Sequence, residues 1–193
     1  MAKTLLIENK ALSPLEVQSI IETAKSYSFN TALNHKWSLY FLVLWQTGIR
    51  QSECLAIKAP HIEPDRIRIK RCKKPKDEPD DYVPIQPQLY FELLNYVIAN
   101  NIKGKLFPNS IQEAIHIFNQ LKKKTGIRPH LTPHGFRHGF AFNYMEQMSH
   151  IYGALEALTR LARILGHKDI RYTMVYLRKG FEDIKKDIAR LKF

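Results

Sequence analysis

Residues 134 to 176 read HGFRHGFAFNYMEQMSHIYGALEALTRLARILGHKDIRYTMVY. The stretch reads as helices joined by short turns, with no β-like segment. Working outward, Thr125 to Pro133 is rich in turn residues and reads as a loop. Before it, two helical patterns carry Ile111, Ala114, Ile115, Phe118 and Leu121, and Tyr90, Leu93, Leu94, Val97 and Ile98. The one clear β region lies further upstream. Ile67 to Arg71 and Asp81 to Ile85 are expected to pair across a basic loop, with Pro84 and Pro87 ending the pairing.

The N-terminal third returns to helix. Ser13-Pro14-Leu15-Glu16 combines a capping Ser, a Pro at the first helical position and a Glu at the third. Val17, Ile20, Ile21 and Ala24 follow at helical spacing. A second helix is expected from about Asn34 to Thr47. It is apolar on most sides (Trp37, Leu39, Tyr40, Phe41, Leu42, Val43, Leu44, Trp45), as buried helices are, and Gly48 ends it. A short helix is expected from Arg50 to about Ile57. The pattern predicts a mainly α domain with a small antiparallel β-sheet (α+β), spanning residues 1–193, with a core over about 13–177 and an amphipathic C-terminal helix over 181–193.

Composition narrows the function classes. Thirty Lys and Arg against eighteen Asp and Glu give a net charge of +12, which favours a polyanionic partner, nucleic acid first. The segment RIRIKRCKKPK, residues 66–76, holds seven of those cations in eleven positions. Arg66, Arg68, Lys70, Arg71, Lys74 and Lys76 are therefore the expected DNA-contacting set. Two cysteines, Cys54 and Cys72, are too few for a disulfide framework or a cysteine-rich zinc site. The longest apolar run, Leu39 to Trp45, is far shorter than a membrane span. The first residues lack the features of a secretory signal. The expected location is the cytoplasm, in association with the nucleoid.

Four segments carry residues suited to phosphate chemistry: Thr47-Gly48-Ile49-Arg50-Gln51-Ser52-Glu53, the basic hairpin, His134-Gly135-Phe136-Arg137-His138, and Leu165-Gly166-His167 with Tyr176 nine residues on. Each alone is weak. An Arg at a helix start usually makes a surface ion pair, and a Tyr on an amphipathic helix is usually core. Together and in this order, the sequence resembles the tyrosine recombinase (phage integrase) family, whose members carry TG-x-R-x-SE, a hairpin Lys, H-x-x-R, and LGH followed by a Tyr.

That resemblance implies the fold of the recombinase catalytic domain and an enzyme that cleaves and rejoins DNA through a 3′-phosphotyrosyl intermediate. It assigns Arg50, His134, Arg137, His167 and Tyr176 to catalysis, with a hairpin Lys as general acid. Counting from the first strand favours Lys73, counting back from the second favours Lys76, and Lys74 is also open. Arg50 and Arg137 clamp the phosphate, Tyr176 attacks, His134 takes the phenolic proton and His167 donates to the phosphate. Tyr172 is the rival nucleophile. Glu53, on the helical face of Arg50, is expected to orient its neighbours, and His138 to be a buried, hydrogen-bonded histidine. No metal or other cofactor is implied. The implied partner is double-stranded DNA, bound by four subunits across two sites, with a monomer when free.

Two departures stand out. Only about twelve residues precede the first helix, where family members carry a DNA-clamping domain, so the sequence reads either as a fragment of a longer protein or as a short member similar to the fimbrial phase-variation recombinases. The Arg137–His167 interval is also long, and the extra residues around Met148 to Leu155 are expected to form a loop. Three rival readings remain: a DNA-binding module without catalysis, a type IB topoisomerase, and a metal-dependent hydrolase using His134 and His138.

Overall fold

The computed structural model describes residues 6–71, 79–177 and 189. Helix α1 (Pro14–Lys25) starts at a reciprocal cap: the Glu16 amide donates to Ser13 Oγ, and the Ser13 amide donates to Glu16 Oε2. Helix α2 (Thr31–Thr47) begins three residues earlier than the apolar pattern indicates, because Asn30 caps it by accepting from the Leu33 amide. Trp37, Leu39, Tyr40, Phe41, Val43 and Leu44 are all buried on it, so it runs through the core as its composition suggests. Gly48 ends it at φ 63°. A Cβ there would also strike the Phe140 ring. The short helix α3 (Gln51–Leu55) follows, with Arg50 as its cap residue.

Three antiparallel strands come next in the order β1 (Ile62–Glu63), β2 (Arg66–Ile69) and β3 (Asp81–Pro84). Ile67 pairs with Val83 and Ile69 with Asp81. Ile67, Ile69 and Val83 are buried, while Arg66 and Tyr82 face outward. β1 was not foreseen, since two residues show no period. The pairing also stops two residues short of Arg71 and one short of Ile85.

Helices α4 (Pro87–Ala99), α5 (Ile111–Thr125), α6 (His134–Tyr152) and α7 (Ala154–Leu165) complete the frame, and two 3₁₀ turns, Ile170–Tyr172 and Met174–Tyr176, carry the chain back to α6. The loop expected around Met148 to Leu155 is absent. α6 continues to Tyr152, Gly153 alone makes the corner, and α7 starts at the next residue. Gly153 sits at φ 79°, ψ 156°, a region that essentially only glycine occupies, so the corner needs no more residues.

α6 separates two apolar clusters. On one side Phe136 stacks on Phe41 with ring centroids 5.3 Å apart, and both meet Phe118 in the large core. On the other side Ala141, Phe142 and Met145 join Ala157, Leu158, Leu161 and Leu165 of α7, together with Tyr176. A helix buried on both sides has no single apolar face, which is why α6 lacks the periodicity that α7 shows so clearly.

α6 also lies tight against the N-terminal segment. A Cβ on Gly139 would overlap the Leu12 carbonyl oxygen and stand 2.9 Å from the Trp45 ring. In an open helix Gly→Ala gains about 1 kcal/mol of propensity, but overpacking against backbone costs about 1–3 kcal/mol. Gly139→Ala should therefore lower stability, read as an earlier midpoint in urea unfolding. A midpoint at or above wild type would mean that α6 does not approach Leu12 this closely.

Candidate active site

A cleft of about 730 Å³ opens where α3, the end of β2, the start of α6 and the turns after α7 converge. Arg50, His134, Arg137, His138, His167 and Tyr176 all line it.

Arg50 is held from its own helix. Its amide donates to Glu53 Oε2 and its Nη1 to Glu53 Oε1, both at 2.9 Å. Glu53 is fully buried and receives a third bond, from Arg71 Nη1 at 3.4 Å. Arg71 in turn donates to Asp81 Oδ2 at 3.0 Å and to the Ile164 carbonyl at 2.6 Å. Its side chain is only 4% exposed. Arg71 is thus an internal strut between α3, the sheet and α7 on the wall of the cleft, and not an exposed member of the basic strand. Of the other ribbon cations, Arg66 pairs with Glu63 at 2.5 Å and covers the Tyr82 ring, Arg68 lies 4.0 Å from Asp80, and Lys70 is exposed. Lys73, Lys74 and Lys76 lie outside the described residues, as does the segment expected to form the C-terminal helix, apart from Ala189.

Arg137 is buried and spans two helix ends. Nη1 donates to the Gly48 carbonyl after α2 at 2.7 Å, and Nη2 to the Leu165 carbonyl ending α7 at 2.8 Å. Those carbonyls lack intrahelical donors and carry the negative end of the helix dipole, so they favour a cation. Burial, then the charge of Arg50, pulls the Arg137 pKa down to about 10. It stays protonated at neutral pH, but two like charges share one cleft, an arrangement that an anion relieves.

His167 Nε2 lies 3.1 Å from Arg137 Nη2, and Nδ1 lies 2.9 Å from Thr173 Oγ1. A guanidinium only donates, so Nε2 accepts, and the neutral ring carries its proton on Nδ1, facing the buried Thr173. Thr173 was not foreseen, because nothing in its local sequence signals this contact.

Tyr176 is 3% exposed, with its ring edge-on to Phe142 at 5.1 Å. Its hydroxyl lies 2.9 Å from Nδ1 of His138. His134, the expected proton acceptor, instead meets the His138 ring at right angles with centroids 4.6 Å apart. Tyr172 is 70% exposed and touches the His167 ring by its edge. Burial raises the Tyr176 pKa, and the charges of Arg137 and Arg50 oppose that rise. Lost hydration, then Arg137 and Arg50, lowers the pKa of His134, whose ring nevertheless stays open to solvent. His138 is pushed down to about 4, first by burial and then by His134, Arg137, Lys10 and His167.

A half-buried neutral histidine makes stability pH-dependent. The unfolded chain takes up the His138 proton below about pH 6.5, whereas the folded cleft excludes it until about pH 4. Stability is therefore unaffected above that window and falls as the pH drops through it. His134 contributes less, since water reaches it. Urea unfolding at several pH values should show a shallower slope between pH 6.5 and 4 for His138→Asn than for wild type. Equal slopes would mean that His138 titrates normally.

The chain matches the phage integrase family model over residues 10–183. It is 26% identical over 183 residues to the tyrosine recombinase XerA of Saccharolobus solfataricus, covering 95% of this chain and 57% of the relative. It is 31% identical over a 192-residue alignment to the tyrosine recombinase XerC of Rickettsia peacockii, covering 91% of this chain and 58% of the relative. The chain thus spans little more than half the length of these relatives. The fold is shared with XerH bound to its difH substrate in a pre-cleavage complex (TM-score 0.71, 17% identity, 94% of this chain and 54% of that one). It is shared also with the catalytic domain of bacteriophage HP1 integrase (TM-score 0.64, 22% identity, 93% of this chain and 94% of that one). Among the described residues no helix is long and apolar enough to cross a membrane. With a family match over most of its length and the same recombinase fold, the chain belongs to the phage integrase family of tyrosine recombinases.

Proposed function

We propose that residues 1–193 act as the catalytic domain of a site-specific DNA recombinase that cleaves and rejoins strands through a 3′-phosphotyrosyl intermediate at Tyr176. The observation that carries this reading is the convergence of Arg50, Arg137, His167 and the Tyr176 hydroxyl on one cleft. A phosphodiester resists nucleophiles because its oxygens are negative. Guanidiniums fixed by Glu53 and by two helix ends are already oriented when the phosphate arrives, so they favour the charge of the transition state. Tyr176 attack then stores the bond energy in a covalent ester, which needs no metal or nucleotide. A hairpin lysine, Lys73 by strand counting with Lys74 and Lys76 as alternatives, protonates the leaving 5′ oxygen. His134 lines the same cleft and is placed to bond a phosphate oxygen, while His167, bonded to both Arg137 and Thr173, steadies the clamp.

The substrate is double-stranded DNA, favoured by the net charge of +12 and by the DNA complexes of proteins with this fold. Such a substrate places the protein with the chromosome in the cytoplasm. Recombination, rather than relaxation by a type IB topoisomerase, is favoured by the relatives, which are tyrosine recombinases.

Nicked duplexes tiling the DNA that flanks the chain's own gene trap a covalent adduct wherever cleavage occurs. Tyr176→Phe should abolish that adduct and leave DNA affinity nearly intact, because one hydroxyl is lost. Arg50→Ala and Arg137→Ala should each slow adduct formation by at least ~10²-fold, the scale of losing one transition-state donor. An adduct mapping to Tyr172 by mass spectrometry would reassign the nucleophile.

Four subunits on two DNA sites, with a monomer in free solution, is the assembly we propose. In the sequence Phe181, Ile184, Ile188 and Leu191 recur at helical spacing, a pattern that would suit docking on a neighbour, and such a contact repeated head to tail closes into a ring. Deleting residues 181–193 should cripple two-site recombination more than single-site cleavage. Equal losses in the two assays would rule out docking between subunits.

A further inference from the structure

Tyr176 must lose its phenolic proton as it attacks phosphorus, and a phenol of ordinary pKa near 10 does not do so unaided at neutral pH. The hydroxyl is buried, so bulk water is a poor acceptor. Its hydrogen bond goes to Nδ1 of His138 at 2.9 Å. This deepens the reading of Tyr176 as nucleophile and rests on it: we propose that His138 Nδ1 is the base that takes the phenolic proton during cleavage and returns it during religation.

Geometry supports the assignment from both sides. His138 directly follows Arg137 on α6, so the base and the phosphate clamp are set by one helical turn. The perpendicular His134 ring limits rotation of His138, and the Phe142 edge contact fixes the Tyr176 ring. Within hydrogen-bond reach of the hydroxyl, a general base satisfies the first requirement for proton transfer. The expected base, His134, touches His138 and not the hydroxyl's bond.

The charges facing His138 give the assignment a condition. His134 and Arg137 of its own helix, Lys10 of the N-terminal segment and His167 of the turn after α7 all disfavour a second positive charge there. His138 is therefore neutral in the free cleft, with Nδ1 able to accept when the ring proton sits on Nε2. A phosphodiester held between Arg50 and Arg137 offsets those cations and raises the proton affinity of the ring. His138 thus becomes basic when substrate arrives, and the nucleophile stays protonated otherwise.

The step balances. As the Tyr176 Oη–P bond forms and the P–O5′ bond breaks, the phenolic proton passes to His138 Nδ1, and O5′ takes a separate proton from the general acid. In religation the 5′ hydroxyl attacks and returns its proton to the conjugate base of the general acid, while the Oη–P bond breaks and His138 gives its proton back to Oη.

Two variants separate the base from a merely positional residue. His138→Asn puts an amide oxygen near the Nδ1 position, keeping an acceptor that cannot hold a proton. His138→Ala removes both functions. On the nicked duplex that wild type cleaves, single-turnover adduct formation should fall ~10²–10⁴-fold in both variants, the range for general-base loss. DNA affinity should be unchanged, and added imidazole should partly restore the Ala variant alone. Should the Ala variant unfold, the Asn variant decides. Cleavage by His138→Asn within a few-fold of wild type overturns the proposal, because position alone then suffices. Faster cleavage by either variant also overturns it, since the bond would then be a restraint on the nucleophile. An adduct that persists in Tyr176→Phe, by contrast, sinks the nucleophile reading itself.

Discussion

One buried carboxylate organises the cleft. Glu53 bonds the amide and guanidinium of Arg50 on one side and the guanidinium of Arg71 on the other. Removing a charge from water is expensive unless its partners are well placed, so these three residues fix one another. Arg71 carries the constraint outward to Asp81 of the sheet and to the Ile164 carbonyl beside the turn holding His167. Three guanidiniums then face two carboxylates across the cleft wall. The residual positive charge sits on groups that cannot retreat into solvent.

The same strut accounts for a glycine. Gly166 ends α7 at φ 66°, and a Cβ on it would stand 2.7 Å from Arg71 Nε. Left-handed backbone and close approach of a guanidinium both demand the missing side chain. The Leu165 carbonyl, left over at that helix end, is one of the two that receive Arg137. The LGH sequence is therefore a backbone solution for seating two arginines as well as a carrier of His167.

Much of this was legible in sequence because it is local. The cap at Ser13, the glycine stop at Gly48, and the His134–Arg137 and His167–Tyr176 spacings are each set within a short stretch of chain. What stayed hidden is tertiary. Arg71 reads as one more cation in a basic strand, since Glu53 and Ile164, which bury it, lie 18 and 93 residues away. His134 and His138 share a helical face, and only the approach of the Met174–Tyr176 turn selects between them. The lengthened Arg137–His167 interval suggested a loop because chain length says nothing of where extra residues go. Here the residues of that interval belong to two helices that meet at Gly153.

The division of the core by α6 has a thermodynamic consequence. Tyr176 belongs to the smaller apolar cluster between α6 and α7, while the aromatic stack around Phe41 belongs to the larger one. Separate clusters open at separate free energies, and the one with fewer buried contacts opens first. Loosening of the smaller cluster around Tyr176 leaves the stack around Phe41 intact. Amide exchange along α7 and the Met174–Tyr176 turn thus reports the readiness of the nucleophile, and exchange along α2 reports the integrity of the fold.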